Sequence, residues 1–167
     1  MSFRIITNTI SPGLARMITA SKNPKAILEA MGLALVSLTK RAFTDPTLRP
    51  SDWPARKGEA SNPLLIRSTL LRRSIRIVHT TSTEVMVGTD RPYAAAHQFG
   101  TGPYTIRPKN KKALSWPGAA HPVKVVHHPG LPARPFFPFT AAGEMTAKAK
   151  TKIESAGRVA LARLIKP

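Results

Sequence analysis

The chain has no cysteine. That excludes a disulfide framework, thiolate metal sites and a thiol nucleophile, and it fits a reducing compartment. Acidic residues are scarce: 8 Asp and Glu stand against 26 Lys and Arg, a net charge of +18. So few carboxylates, none in a distinctive pair, disfavour acid–base catalysis. Aromatics make up only 6% and do not interleave with the basic residues as a base-stacking platform requires. No apolar run reaches the ~18 residues needed to span a membrane. Met1 to Ile6 lacks the apolar core of a signal peptide.

What is present is charge, proline and moderate hydrophobicity. The 167 residues fit one domain, 1–167, and the 42% hydrophobic content supports a folded core. So basic a chain attracts polyanions. Two readings follow: contact with DNA, or a basic face that meets an acidic protein.

The pattern predicts an α+β fold. A short antiparallel sheet is packed by a long helix in the N-terminal half and by a C-terminal helix, with an extended arm and loops. Residues 1–22 are a candidate N-terminal arm, in which 2–7 form either a strand or an ordered extension. Asn23-Pro24 reads as a cap followed by proline at the first helical position. From there to Phe43, Ile27, Met31, Ala34, Leu35, Leu38 and Ala42 share one stripe. Residues 45–63 form a long connection with prolines at 46, 50, 54 and 63. Trp53 is its candidate anchor. Leu64–Leu71 is expected as a short helix leading into a strand. Ser74–Thr80 and Glu84–Gly88 alternate as an antiparallel hairpin with Val85 and Val87 inward. Pro92–Phe99 reads as a short helix ended by Gly100. Tyr104–Arg107, Lys112–Trp116 and Pro122–Val126 read as short strands, confined to edges by the many prolines. Thr140 is the expected cap of a final helix whose stripe is Met145, Ala149, Ile153, Ala156, Ala160 and Leu164.

Searches for chemistry return little. His121, His127 and His128 lack zinc-site spacing, and adjacent strand residues point to opposite faces. His97 reads as a hydrogen-bonded structural histidine. Gly100-Thr101-Gly102 is followed by no G-K-[ST], so nucleotide binding is not expected. No metal or cofactor is expected, and neither is enzymatic activity. The clearest charge run is Arg107, Lys109, Lys111 and Lys112, on a predicted hairpin tip. It is either a solvated loop or a contact to DNA or to an acidic neighbour, positioning without reading sequence.

Three ordered blocks carry a resemblance. Ser68 to Ile77 is similar to a G-x-L-x-x-S-I element, with Ser68 in the glycine position. Tyr93-Ala94-Ala95-Ala96-His97-Gln98-Phe99-Gly100 resembles the Y-A-x-x-H-Q-x-G block of Mu-type members. Thr105-Ile106-Arg107-Pro108, Leu114-Ser115-Trp116-Pro117-Gly118 and His128-Pro129-Gly130 resemble lambdoid neck members, and Leu131-Pro132-Ala133-Arg134-Pro135-Phe136 is common to both groups. Arg41 to Trp53 resembles their connector, with Arg49-Pro50-Ser51 where glycine is common. Together these resemble the tailed-phage virion morphogenesis, tail-completion and head–tail joining proteins.

The resemblance implies a virion protein at the head–tail junction, assembled in the host cytoplasm and needing no cofactor. It implies a homo-oligomeric ring around a DNA channel, six-fold by the tail-end families or twelve-fold as in a neck. The implied partners are other copies of the chain, neck or connector proteins, tail tube or terminator proteins, and passing DNA, with no membrane. The matched structural positions are Tyr93, His97, Gly100, Pro132, Arg134, Pro135 and Phe136. Arg134, with its planar fork, is expected to clamp backbone carbonyls or an acid. Phe136 is expected to keep the fold. The alternatives are a basic DNA-binding protein, or an assembly factor not retained in the particle.

Overall fold

The computed structural model describes residues 2–6, 24–56, 63–117, 120–140 and 142–165. It is α+β, as the patterning predicts. The elements are β1 (Ser2–Ile6), α1 (Pro24–Ala42), a 3-10 turn (Pro46–Leu48), α2 (Leu70–Ser74), β2 (Arg76–Thr80), β3 (Glu84–Gly88), α3 (Ala94–Phe99), β4 (Tyr104–Ile106), β5 (Val126–His128) and α4 (Ala147–Ile165).

Helix α1 organises the body. Proline at its first position costs no helical hydrogen bond, and Lys40 and Arg41 in its last turn suit the helix dipole. Its buried face is Ile27, Leu28, Met31, Gly32, Leu35, Leu38, Thr39 and Ala42, wider than the predicted stripe. Gly32 lets the sheet come close: a Cβ there would lie 2.6 Å from Val85 Cγ2. The sheet has the order β1-β3-β2, antiparallel throughout. Val85 and Val87 are fully buried, as the alternation predicts. The β2–β3 register slips between Ile77 and His79, and the intervening Val78 is exposed.

Residues 2–6 take the strand form, one of the two expected for 2–7. They pair along β3 from Ser2↔Gly88 to Ile6↔Glu84. The rest of the expected arm lies outside the described residues.

Three other expectations shift. The helix predicted at 64–71 falls at Leu70–Ser74. Leu65 and Thr69 before it take positive φ, 61° and 55°, which breaks any earlier helix. Lys112–Trp116 is not a strand, although Leu114 bridges Val123, and β4 pairs with β5 instead. The last helix starts at Ala147, six residues later than a cap at Thr140 would start it. The Thr140 hydroxyl accepts from the Glu144 amide at 3.2 Å and the Thr140 carbonyl from Gly143 at 2.9 Å. With Gly143 at φ 83°, this closes a tight turn that lays Met145 beside Phe139.

Helix α4 packs on α1. Lys148 Nζ donates to the Thr47 carbonyl at 3.3 Å, which places the start of α4 near the end of α1, so the two run antiparallel. Its fully covered positions are Ala149, Ile153, Gly157 and Leu161, while Leu164, predicted inside, is exposed. The core joins these helices to Phe43, Leu48, Trp53, Leu71, Ile75, Ala94, Phe136 and Phe137.

Candidate functional site

One buried knot holds the connection after α1 and the chain before α4. Trp53 anchors the 45–63 loop as predicted: its Nε1 donates to the Pro135 carbonyl at 2.8 Å. Phe43 meets its ring edge-on, with centroids 5.9 Å apart. Arg49 lies over its face, the guanidinium carbon 3.7 Å from the ring centre. Arg49 also donates to the Ala42 and Phe43 carbonyls at 2.6 and 3.1 Å, capping the last turn of α1. Burial lowers its pKa, and Asp52 and Asp45 oppose that shift.

Arg134 is buried, and its Nε and Nη2 donate to the carbonyls of Pro54 and Ala55 at 3.0 and 3.1 Å. Its planar fork thus clamps backbone carbonyls, as expected. Pro135 and Phe136 are buried, whereas Pro132 is exposed. Phe136 is fully covered and rests on Phe43 and Phe137, a fold-keeping position.

The residue that sequence reasoning passed over is Gln98, only 3% exposed. Its Oε1 accepts from the amides of both Phe136 and Phe137 at 3.0 Å. One residue earlier, the His97 carbonyl accepts from the Arg134 amide at 2.7 Å. Helix α3 therefore holds the main-chain amides of the 134–137 segment, through the Gln98 side chain and the His97 carbonyl. Tyr93, half-exposed, meets the His97 ring edge-on at 5.9 Å. The His97 side chain is not hydrogen-bonded at Nδ1, contrary to expectation. Burial, then the Arg134 charge, lower its pKa from 6.5. Phe99 is 61% exposed.

From this knot a two-stranded ribbon departs. Gly100 (φ 74°) turns the chain out of α3, where a Cβ would crowd the Leu131 carbonyl at 2.8 Å. Gly130 (φ 91°) lies against the Thr101 carbonyl, which leaves no room for a side chain. Thr101 and Leu131 exchange main-chain bonds of 2.9 and 3.2 Å. Beyond them β4 and β5 pair from Tyr104↔His128 to Ile106↔Val126. Tyr104 stacks on His128 at 4.7 Å, and Thr105 Oγ1 approaches His127 Nδ1 at 3.4 Å.

Among the described residues from 100 to 133, none is buried. Residues 101–131 contain Arg107, Lys109, Lys111, Lys112 and Lys124 and no acid. All five are exposed, and none makes an ion pair among the described residues. The cluster at 107–112 does not sit at the tip of a hairpin with 112–116. It lies on the long excursion between β4 and β5, because the partner of β4 is β5.

These parts define an α+β body that pins Trp53, Pro54 and Ala55 of one loop and holds out a ribbon carrying charge of a single sign. The model of the phage virion morphogenesis family matches residues 5–155, and the chain belongs to that family. Comparisons with curated proteins and with solved structures give no match. Among the described residues, no helix is long and apolar enough to cross a membrane.

Proposed function

We propose that the protein is a structural component of the phage head–tail junction, forming a ring that completes or caps the tail and joins it to the neck around the DNA channel. The family match over 5–155 carries this reading, since it places the chain in virion morphogenesis. Such a ring has cyclic symmetry with heterologous contacts. The cationic ribbon is the part built to reach beyond its own subunit. Its lysines and Arg107 contact phosphates of passing DNA, which requires no base readout. The role is structural rather than catalytic. In support, Gln98, Arg134 and Trp53 direct their polar atoms at main-chain groups of the same chain.

Electron microscopy of mature particles, with this chain fitted into neck and tail-end density, tests the proposal. A closed ring around the axis supports it. Absence from the particle, with purified protein coating DNA in a steeply salt-dependent way, overturns it. That outcome favours the second reading, a basic assembly factor, for which the observation is the net charge of +18.

A further inference from the structure

Beside the packed faces of α1 and α4 lies a largely apolar trough of about 540 Å³. Its half-buried floor is Ala30, Ala34, Ala156 and Ala160, with Ser37 and Ser155 exposed beside them. Leu33 and Val159 stand on the two walls, 61% and 50% exposed. From Ala30 to Arg41 it runs eleven residues along α1, or about 17 Å, the length of a three-turn helix. Cations mark the rim: Lys152 and Arg163, and Arg41, which pairs with Asp45 at 3.7 Å; no acidic side chain lies in the lining itself.

We propose that this trough seats a short amphipathic helix, apolar on one face and acidic on its flanks, supplied by a different protein. The alanine floor lets a helix axis come close, and Leu33 and Val159 pack its apolar face. The rim decides the flanks. A second copy of this chain brings a net charge of +18. An isologous contact would set Arg41, Lys152 and Arg163 against themselves, and a heterologous one would bring a surface with only 8 acids among 26 Lys and Arg. Nucleic acid fits the rim but not the floor: apart from the Ser37 and Ser155 hydroxyls, what lies between the rim cations is alanine, leucine and valine, whose side chains offer no donor to a phosphate. An acidic helix satisfies both.

The inference uses the phage reading only to choose where to look. Particles are assembled with the chain carrying Leu33→p-benzoyl-phenylalanine or Val159→p-benzoyl-phenylalanine, irradiated, and the crosslinked peptide is sequenced. The expected crosslink maps to a segment of another virion protein whose apolar residues at helical spacing are flanked by Asp or Glu. Adding Lys152→Glu with Arg163→Glu, both exposed and so tolerated by the fold, lowers the yield at least tenfold. A crosslink to a second copy, to residues 7–23 of the same chain or to DNA overturns the proposal. So does no crosslink, or a yield indifferent to the charge reversal. A ring in the particle without this crosslink removes the trough proposal alone. The mapped crosslink without ring density removes the ring alone.

Discussion

Gln98→Leu should unlock the segment before α4. Leucine matches glutamine in size, so it opens no large cavity. It removes the oxygen that accepts from Phe136 and Phe137, both at 3.0 Å in a buried setting. A buried donor stripped of its acceptor costs ~1–3 kcal/mol, so the pair costs ~2–6 kcal/mol. The added apolar burial offsets roughly 1 kcal/mol of this. The net loss of ~1–5 kcal/mol is a large share of the ~5–15 kcal/mol that holds a typical domain together. For a chain of this length it lowers Tm by about 2–20 °C. Thermal unfolding followed by circular dichroism reads the global loss. Hydrogen exchange at the Phe136 and Phe137 amides reads its place. A loss under ~1 kcal/mol with unchanged protection at those two amides would refute the view that α3 holds this segment through Gln98.

Trp53→Phe keeps a ring under Arg49 but removes the bond to Pro135, and should cost about 1–3 kcal/mol, whereas Trp116→Phe, at a half-exposed site, should stay within ~0.5 kcal/mol by the same denaturant titration. The remaining tryptophan in each variant checks this directly, Trp53 being shielded from iodide and Trp116 quenched. Gly130→Ala forces a Cβ against the Thr101 carbonyl at φ 91° and should lower amide protection at Thr101 and Leu131 at least tenfold, while Tm changes by under ~3 °C because the ribbon adds nothing to the core. Gly102→Ala, with open space around its Cβ, is the silent control. For His97, whose folded pKa lies below 6.5, the unfolded chain binds more protons in the window beneath that value. Its contribution is complete above about pH 6.5 and drains as pH falls through the lowered folded pKa. His97→Gln should flatten the fall of Tm between neutral and mildly acid pH, and an unchanged slope would remove His97 as its cause.

What the sequence makes legible is what local spacing controls. Helix α1 announces itself by Pro24 and a 3.6-residue stripe, and the β2–β3 hairpin by alternation. Trp53 and Arg134 are readable because a lone tryptophan in a polar loop and an arginine among prolines have few other uses. Gln98 is not readable in this way. It looks like an ordinary polar residue in an alanine-rich turn, and the groups it binds lie 38 and 39 residues away. Its place between His97 and Gly100 in the resembling block was the available signal. The partner of β4 is hidden for the same reason, since which strand closes a ribbon depends on the glycines at its base, 30 residues apart in sequence. Thr140 does cap a turn, but Gly143 at φ 83° diverts that turn away from a helix. The final stripe is rotated because Gly157, invisible to an apolar count, lies in the buried row with Ile153 and Leu161.

The contrast between knot and ribbon follows from this division. A two-stranded ribbon is marginal in water on its own. Here its register is fixed at the base, where Gly100 and Gly130 permit the close Thr101–Leu131 pairing and Arg134 and Gln98 tie the departing strand to the core. Because none of the ribbon's described residues is buried, its side chains are free of packing constraints, and five cations can be carried there without an acid to balance them. Their mutual repulsion weakens the ribbon rather than the body, and a polyanion or an acidic surface relieves it. The body thus supplies stability, the glycines supply direction, and the ribbon is left to charge.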